Sequence, residues 1–150
     1  MRVEDLLHLS PLRLVTAGPE TPAREAARRM AQYDVGILVV MDERDEIAGV
    51  LSERDLVTAL GQPGTALDDT AVGELMTRSV ITIDAGEALV EAVLAMNAHG
   101  IRHLIATRDG KPEGVVSIRD VLRVFARRLL HDAGEDDTQL TLDFARALAA

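Results

Sequence analysis

The sequence predicts an α/β (α+β) fold of two pseudo-symmetric β-α-β-β-α repeats packed sheet to sheet. Three observations carry the prediction. An apolar helical pattern recurs 66 residues further on. A dense apolar run, a polar turn and a short strand follow that pattern in both places. A seven-residue stretch with five identical positions then closes each pair of strands.

The helical pattern is Ala23, Ala26, Ala27 and Met30, spaced i, i+3, i+4, i+7 on one helix face, matched by Leu89, Ala92, Val93 and Met96. Thr21 before Pro22 reads as an N-cap with proline at the first helical position. In the second copy, Asp84 with Glu87 three residues on reads as a capping-box variant. Short β-favouring stretches precede the helices, Leu12 to Thr16 and Val80 to Ile83. The apolar runs after them, Val35 to Val40 and Ile101 to Ala106, read as buried or half-buried strands. The turns at Asp42 to Glu46 and Arg108 to Gly110 are short, so the strands that follow, Ile47 to Leu51 and Glu113 to Val116, should return antiparallel. A second helix closes each copy, at about 53–60 and 118–130.

Val3, Leu6 and Leu7 share a spacing with Val72, Leu75 and Met76, which predicts a helical turn before each first strand. The segment Gly61 to Thr70 carries glycines, a proline and acids, and marks a linker. The expected division is repeat 1 over 1–62, linker over 63–71, repeat 2 over 72–130 and a tail over 131–150. Leu140, Phe144, Ala147 and Leu148 give that tail an amphipathic helix. One copy alone would bury too little surface, whereas two stacked copies bury both sheets.

Composition narrows the function classes. The chain is 47% hydrophobic with 2% aromatics, so its core must be aliphatic. It has no cysteine, which excludes disulfides, thiolate chemistry and cysteine zinc sites. The net charge of −9, with scattered basic residues, argues against nucleic-acid binding. The start, Met1-Arg2-Val3-Glu4-Asp5, is unlike a signal peptide, and the run from Val35 to Met41 is too short to span a bilayer. A soluble cytoplasmic protein without membrane partners is expected. His8, His99 and His131 stand singly, without metal-ligand spacing. Neither a nucleophile elbow, a Walker-type loop nor an HExxH pair occurs, so no catalytic residue or metal site is assigned and an enzyme is not expected.

The repeated stretch is Gly49-Val50-Leu51-Ser52-Glu53-Arg54-Asp55 against Gly114-Val115-Val116-Ser117-Ile118-Arg119-Asp120. Ser-x-x-Asp at a helix start is a capping motif that satisfies free backbone N–H groups. The same geometry suits a ligand. A helix N-terminus favours phosphate, an adjacent hydroxyl and guanidinium add donors, and a carboxylate accepts from ribose hydroxyls. Capping does not call for arginine in both copies, and the repetition of Arg54 as Arg119 favours the ligand reading.

With GVLSERDL and GVVSIRDV closing two β-α-β-β-α copies, the chain resembles a paired cystathionine-beta-synthase (CBS) module, also called a Bateman module. The stretch VGELMTRSVITIDAGEALVEAVLAMNAHGIRHLIA resembles the opening of such a module's second repeat, and the resemblance covers about residues 3–130. It implies clefts between the copies that bind AMP, ADP, ATP or S-adenosylmethionine as regulatory ligands, less often a dinucleotide, with no required cofactor. By the same resemblance Asp55 and Asp120 would hold ribose, and Ser52 and Ser117 would lie near phosphate or ribose. Thr16 and Thr82 would line the cleft, and Val35, Ile37 and Ile101 would flank adenine. Arg102 and His103 occupy positions where the family places phosphate contacts, and the first copy has Gly36 and Ile37 there. The polyphosphate end is therefore expected near Arg102, His103 and Arg119, although a solvated strand face would also account for Arg102 and His103.

The resemblance further implies a flat homodimer formed through the helices 22–33, 53–60, 86–98 and 118–130. Without an attached effector domain in this sequence, an effector protein in trans is expected. The alternative is a structural or interaction subunit that binds no nucleotide and acts on a separate enzyme or transporter through its dimer faces and C-terminal helix.

Overall fold

Alternating side chains and two tight turns give each half a three-stranded sheet. The structure, a computed structural model, describes residues 1–9 and 14–132. In chain order it runs α1 (Val3–Leu9), β1 (Thr16–Ala17), α2 (Ala23–Tyr33), β2 (Ile37–Met41), β3 (Ile47–Ser52) and α3 (Glu53–Leu60). The second half runs α4 (Val72–Leu75), β4 (Thr82–Asp84), α5 (Leu89–His99), β5 (His103–Arg108), β6 (Lys111–Ser117) and α6 (Ile118–Asp132). The mixed α/β architecture with two separate sheets is the one the repeat predicts.

Each sheet has its middle strand between a parallel and an antiparallel neighbour, in the orders β1-β2-β3 and β4-β5-β6. Side chains alternate across a strand, so each sheet has two distinct faces. One face packs on helices. Leu38, Val40 and Leu51 join Ala23, Ala26 and Met30 of α2 in the first core. Leu104, Ala106 and Val116 join Leu89, Ala92 and Met96 of α5 in the second. The opposite faces meet each other: Val39 packs with Ile105 and Val115, and Leu14, Ile37, Met41, Ile47, Val50 and Val80 surround them.

The lead-in helices precede one half in sequence and pack on the other in space. Val3 and Leu6 of α1 are fully buried in the second half's core. Val3 N donates to Glu87 O at 3.0 Å, and Glu4 N to Ala85 O at 2.8 Å. In the mirror arrangement Val72 of α4 is buried in the first half's core, and its N–H donates to Thr21 O at 2.8 Å. Burying each such aliphatic side chain contributes about 1.5–3 kcal/mol. The exchange ties the halves together beyond what the sheet contact supplies.

The structure departs from the sequence reading at several strand and helix ends. The first strands are shorter and lie slightly later, at Thr16–Ala17 and Thr82–Asp84, with 10–13 outside the described residues. The middle strands begin two residues later than expected, at Ile37 and His103. The preceding residues instead close the helices: Val35 N donates to Met30 O and Ile101 N to Met96 O, both at 3.0 Å. Asp34 and Gly100 take left-handed conformations at φ 53° and 62° to make those endings. Thr21 is not an N-cap, because its hydroxyl accepts from Gly18 N at 3.1 Å and the helix starts after Pro22. Asp84 closes β4 and accepts from Gly86 N at 2.8 Å, while α5 starts only at Leu89. In both cases a local turn competes successfully for the side-chain oxygen. The tail helix expected beyond 132 lies outside the described residues.

Gly49 shows what the exchange requires locally. A Cβ there would lie 2.8 Å from both Met76 Sδ and Thr77 O. Val50 and Thr77 exchange backbone hydrogen bonds of 2.9 and 3.0 Å beside it. Gly49→Ala should therefore lower stability by about 1–3 kcal/mol through overpacking, measured as a urea midpoint. Gly61→Ala, whose Cβ meets nothing closer than 3.4 Å, should stay within about 0.5 kcal/mol. Equal midpoints for the two variants would contradict this account of the glycine.

Candidate functional site

The two strand-to-helix corners are built alike, and both are caps. Ser52 is extended at φ −108°, ψ 163°, and its hydroxyl accepts from Asp55 N at 3.3 Å. Asp55 Oδ2 in turn accepts from Ser52 N and from Ser52 Oγ, each at 2.7 Å. In the second corner Ser117 Oγ donates to Asp120 Oδ2 and accepts from Asp120 N at 3.2 Å. The capping reading of Ser-x-x-Asp is therefore realised in both copies. It leaves different carboxylate oxygens available. Asp120 Oδ1 accepts from Arg123 Nη1 at 3.0 Å, whereas Asp55 Oδ1 has no hydrogen-bond partner among the described residues. The Arg123 side chain is more than half exposed, so its hold on Asp120 is weak.

Strand register decides which residues share the space between the sheets. Side chains paired across neighbouring strands lie on one face. Ile37 packs in the inter-sheet seam and is paired with Ser52; Val39, at the seam's centre, is paired with Thr16. On the other sheet Ile105 is paired with Thr82, and His103, two residues before Ile105, is paired with Ser117. Thr16, Ile37 and Ser52 thus share the face that the first sheet turns toward the second, where Thr82, His103 and Ser117 share the opposing face. Thr16 and Thr82 are exposed, so the space beyond the apolar seam is open at its rims.

The remaining sequence-derived residues lie elsewhere. Val35 and Ile101 are half-buried against the cores of their own halves. Arg54 and Arg119 stand exposed in the first turns of α3 and α6, and Arg102 is exposed just before β5. A shallow depression lined by Leu14, Val15, Thr16, Glu25, Arg29, Gln32 and Tyr33 touches only Thr16 of the residues above.

His103 is the point at which both halves act on one group. It is half-buried, and burial first, then the charge of Arg102, holds its pKa below the ordinary 6.5; Arg119 pushes the same way. Asp120 and Glu53 oppose the shift. Glu53 belongs to the first half, and its carboxylate and the His103 ring both lie within 4 Å of the position a Gly36 Cβ would occupy. Sequence reasoning missed Glu53. Its signal was the mismatch with Ile118, the one non-conservative difference inside the repeated stretch.

As a whole, the arrangement offers hydroxyl and carboxylate acceptors, guanidinium donors at two helix starts and an apolar floor. Among the described residues no group of three or more His, Asp or Glu could hold a metal ion, and no helix is long and apolar enough to cross a membrane.

Comparison with known proteins gives the same pattern. The family model described as CBS domain matches residues 3–62 and again 72–127. An uncharacterized protein of Methanopyrus kandleri, MK0525, is 35% identical over 112 residues, covering 74% of this chain and 57% of that protein. The chain spans about half to two thirds of the length of three curated relatives that it matches. The CBS domain protein PAE2072 from Pyrobaculum aerophilum, solved in complex with AMP, superposes with a TM-score of 0.76 at 28% identity. That match covers 87% of this chain and 99% of the other. The CBS domain pair of protein MJ0100, solved with 5′-methylthioadenosine and S-adenosyl-L-methionine, gives a TM-score of 0.72 at 25% identity, covering 83% and 99%.

The depressed His103 pKa has a stability signature. Above about pH 6.5 His103 is neutral both folded and unfolded and contributes no pH dependence. As pH falls through that range the unfolded chain takes up a proton that the folded site resists, so stability drops until the folded site protonates as well. His103→Gln should therefore lose less stability than the parent between about pH 7.5 and about pH 5, measured by urea unfolding. Parallel curves would remove the burial assigned to this ring.

Proposed function

The chain belongs to the CBS-domain family, with two copies in tandem, and from that premise we propose a cytoplasmic, non-catalytic regulatory module that binds an adenosyl ligand between its sheets. AMP, ADP, ATP and S-adenosylmethionine are the candidate ligands. The observation that carries this reading is the convergence of Thr16, Ile37 and Ser52 with Thr82, His103 and Ser117 on two facing sheet surfaces. The likeness to CBS pairs solved with AMP and with S-adenosyl-L-methionine supports the ligand class.

In this reading adenine lies on the apolar residues at the seam's margin, with Ile37 as the nearest candidate. The ribose hydroxyls donate to Asp55 or Asp120. Phosphate lies toward Arg102, His103 and Arg119, where positive charge and the start of α6 coincide. Val35, Ile101 and Arg54 are assigned supporting places at the rim. Ligand contacts to both halves would favour one relative arrangement of them, by as much as the ligand's affinities for the arrangements differ. A change in the outer faces then reaches an effector protein in trans.

We also propose that a second copy covers part of the outer helical surface. The helix α5 buries Leu89, Ala92 and Met96 yet leaves Val90 and Leu94 exposed, at 52% and 56%. Val57, Leu60 and Phe125 are exposed on α3 and α6. Helices apolar on both sides call for cover. The interaction-subunit alternative rests on these same faces and differs only in having no ligand.

Thermal melting with AMP, ATP, S-adenosylmethionine and NADH separates the two readings. A bound ligand at a hundred times its dissociation constant should add about 2.7 kcal/mol. No shift with any of them would leave the interaction reading. Asp120→Ala should cost about 1 kcal/mol of cap in the free protein and erase the ligand-induced shift. If the shift survives intact, Asp120 is a cap alone. Separately, Leu94→Glu should convert a dimer to a monomer in light scattering, and an unchanged mass would move the interface off α5.

A further inference from the structure

We propose that Glu53 is a specificity-determining residue of the cleft: an anion at the cleft rim, lying over Gly36 and near His103 of the other half, that disfavours phosphorylated adenosyl ligands relative to uncharged or cationic ones. The inference rests on the adenosyl-binding reading above.

The backbone at the two corners is the same. Glu53 N donates to Gly36 O at 3.0 Å, and Ile118 N donates to Arg102 O at 2.9 Å. Each helix start is thus fastened to the residue preceding the middle strand. Only the side chains differ. The first corner pairs an acid with a glycine, whereas the second pairs isoleucine with arginine.

The missing side chain at Gly36 is what lets the carboxylate lie where it does. A Cβ on Gly36 would stand 3.1 Å from Glu53 Oε2, tighter than ordinary contact, with Glu53 Cδ at 3.5 Å and His103 Cε1 at 3.7 Å. The carboxylate therefore sits across the boundary between halves, next to the imidazole that the ligand's phosphate would approach. Arg102, Arg119 and Asp120 act together with Glu53 on that same ring. A phosphate drawn to the arginines meets the negative charge of the exposed Glu53 carboxylate on the facing half. Glu53 also stands in the first turn of α3, where the helix dipole favours an anion and a phosphate would compete for the same field. An uncharged adenosine avoids that repulsion, and a sulfonium gains from it.

Affinities of AMP, adenosine and S-adenosylmethionine for the full chain and for Glu53→Gln test this, by calorimetry at low salt. The amide keeps the size and removes the charge. AMP should bind Glu53→Gln about three- to tenfold more tightly, as expected for one partly screened charge at this range. Adenosine should change less than twofold, and S-adenosylmethionine should weaken. Gly36→Ala, which meets only the flexible end of Glu53 at close range, should shift AMP the same way with every charge retained. AMP binding unchanged in Glu53→Gln while the parent binds AMP or adenosine overturns the role of Glu53 alone. If neither protein binds any of the three, the adenosyl reading falls and takes this inference with it. If AMP binds Glu53→Gln but not the parent, both stand.

Discussion

Val39, Ile105 and Val115 form the seam through which the two sheets meet, and the proposed cleft depends on that seam staying central. A half of this size cannot bury both faces of its own sheet, so one face must find cover elsewhere. The second copy supplies it. Because the apolar residues lie centrally and Thr16 and Thr82 lie exposed at the edges, the sheets touch in the middle and leave polar groups open at the rims. The exchange of α1 and α4 strengthens the same constraint. Each lead-in completes the other half's core, so separating the sheets would also uncover Val3, Leu6 and Val72.

Fastened in this way, the halves bring the capping corners into a useful relation. Ser52–Asp55 and Ser117–Asp120 are needed locally, since a helix start with unsatisfied N–H groups beside a buried strand would be costly. A cap is also a set of oriented acceptors held rigidly at a place of positive potential. In the proposed function the same atoms would serve both folding and recognition. The asymmetry arises in the few positions that capping leaves unconstrained: Glu53 against Ile118, Gly36 against Arg102, Ile37 against His103.

That asymmetry gives the module its polarity. One end of the inter-sheet space is basic, with Arg102, Arg119 and a histidine whose pKa burial and those arginines lower. The other half contributes Glu53 and an Asp55 oxygen without a hydrogen-bond partner among the described residues. Charges of both signs close together act more strongly on one another than the chain's distant, screened net charge acts on either. The net charge of −9 therefore says little about what the cleft accepts.

The repeat alone determined the architecture and the capping corners. Periodicity reports which side of an element is apolar, and a duplicated pattern reports that two such elements are alike. It placed Ser52, Asp55, Ser117 and Asp120 at helix starts, and the expected span 53–60 of the second helix is the observed one. It could not show that Val35 and Ile101 close helices and pack on their own cores, because an apolar residue before a strand looks the same in either role. Nor could it show that α1 serves the far half, or that Glu53 meets His103. Those are relations between segments distant along the chain, and local spacing carries no information about which distant surface an apolar face or a carboxylate will reach. Only the packed structure decides that, through the shape left by a bare glycine and the register of two facing sheets.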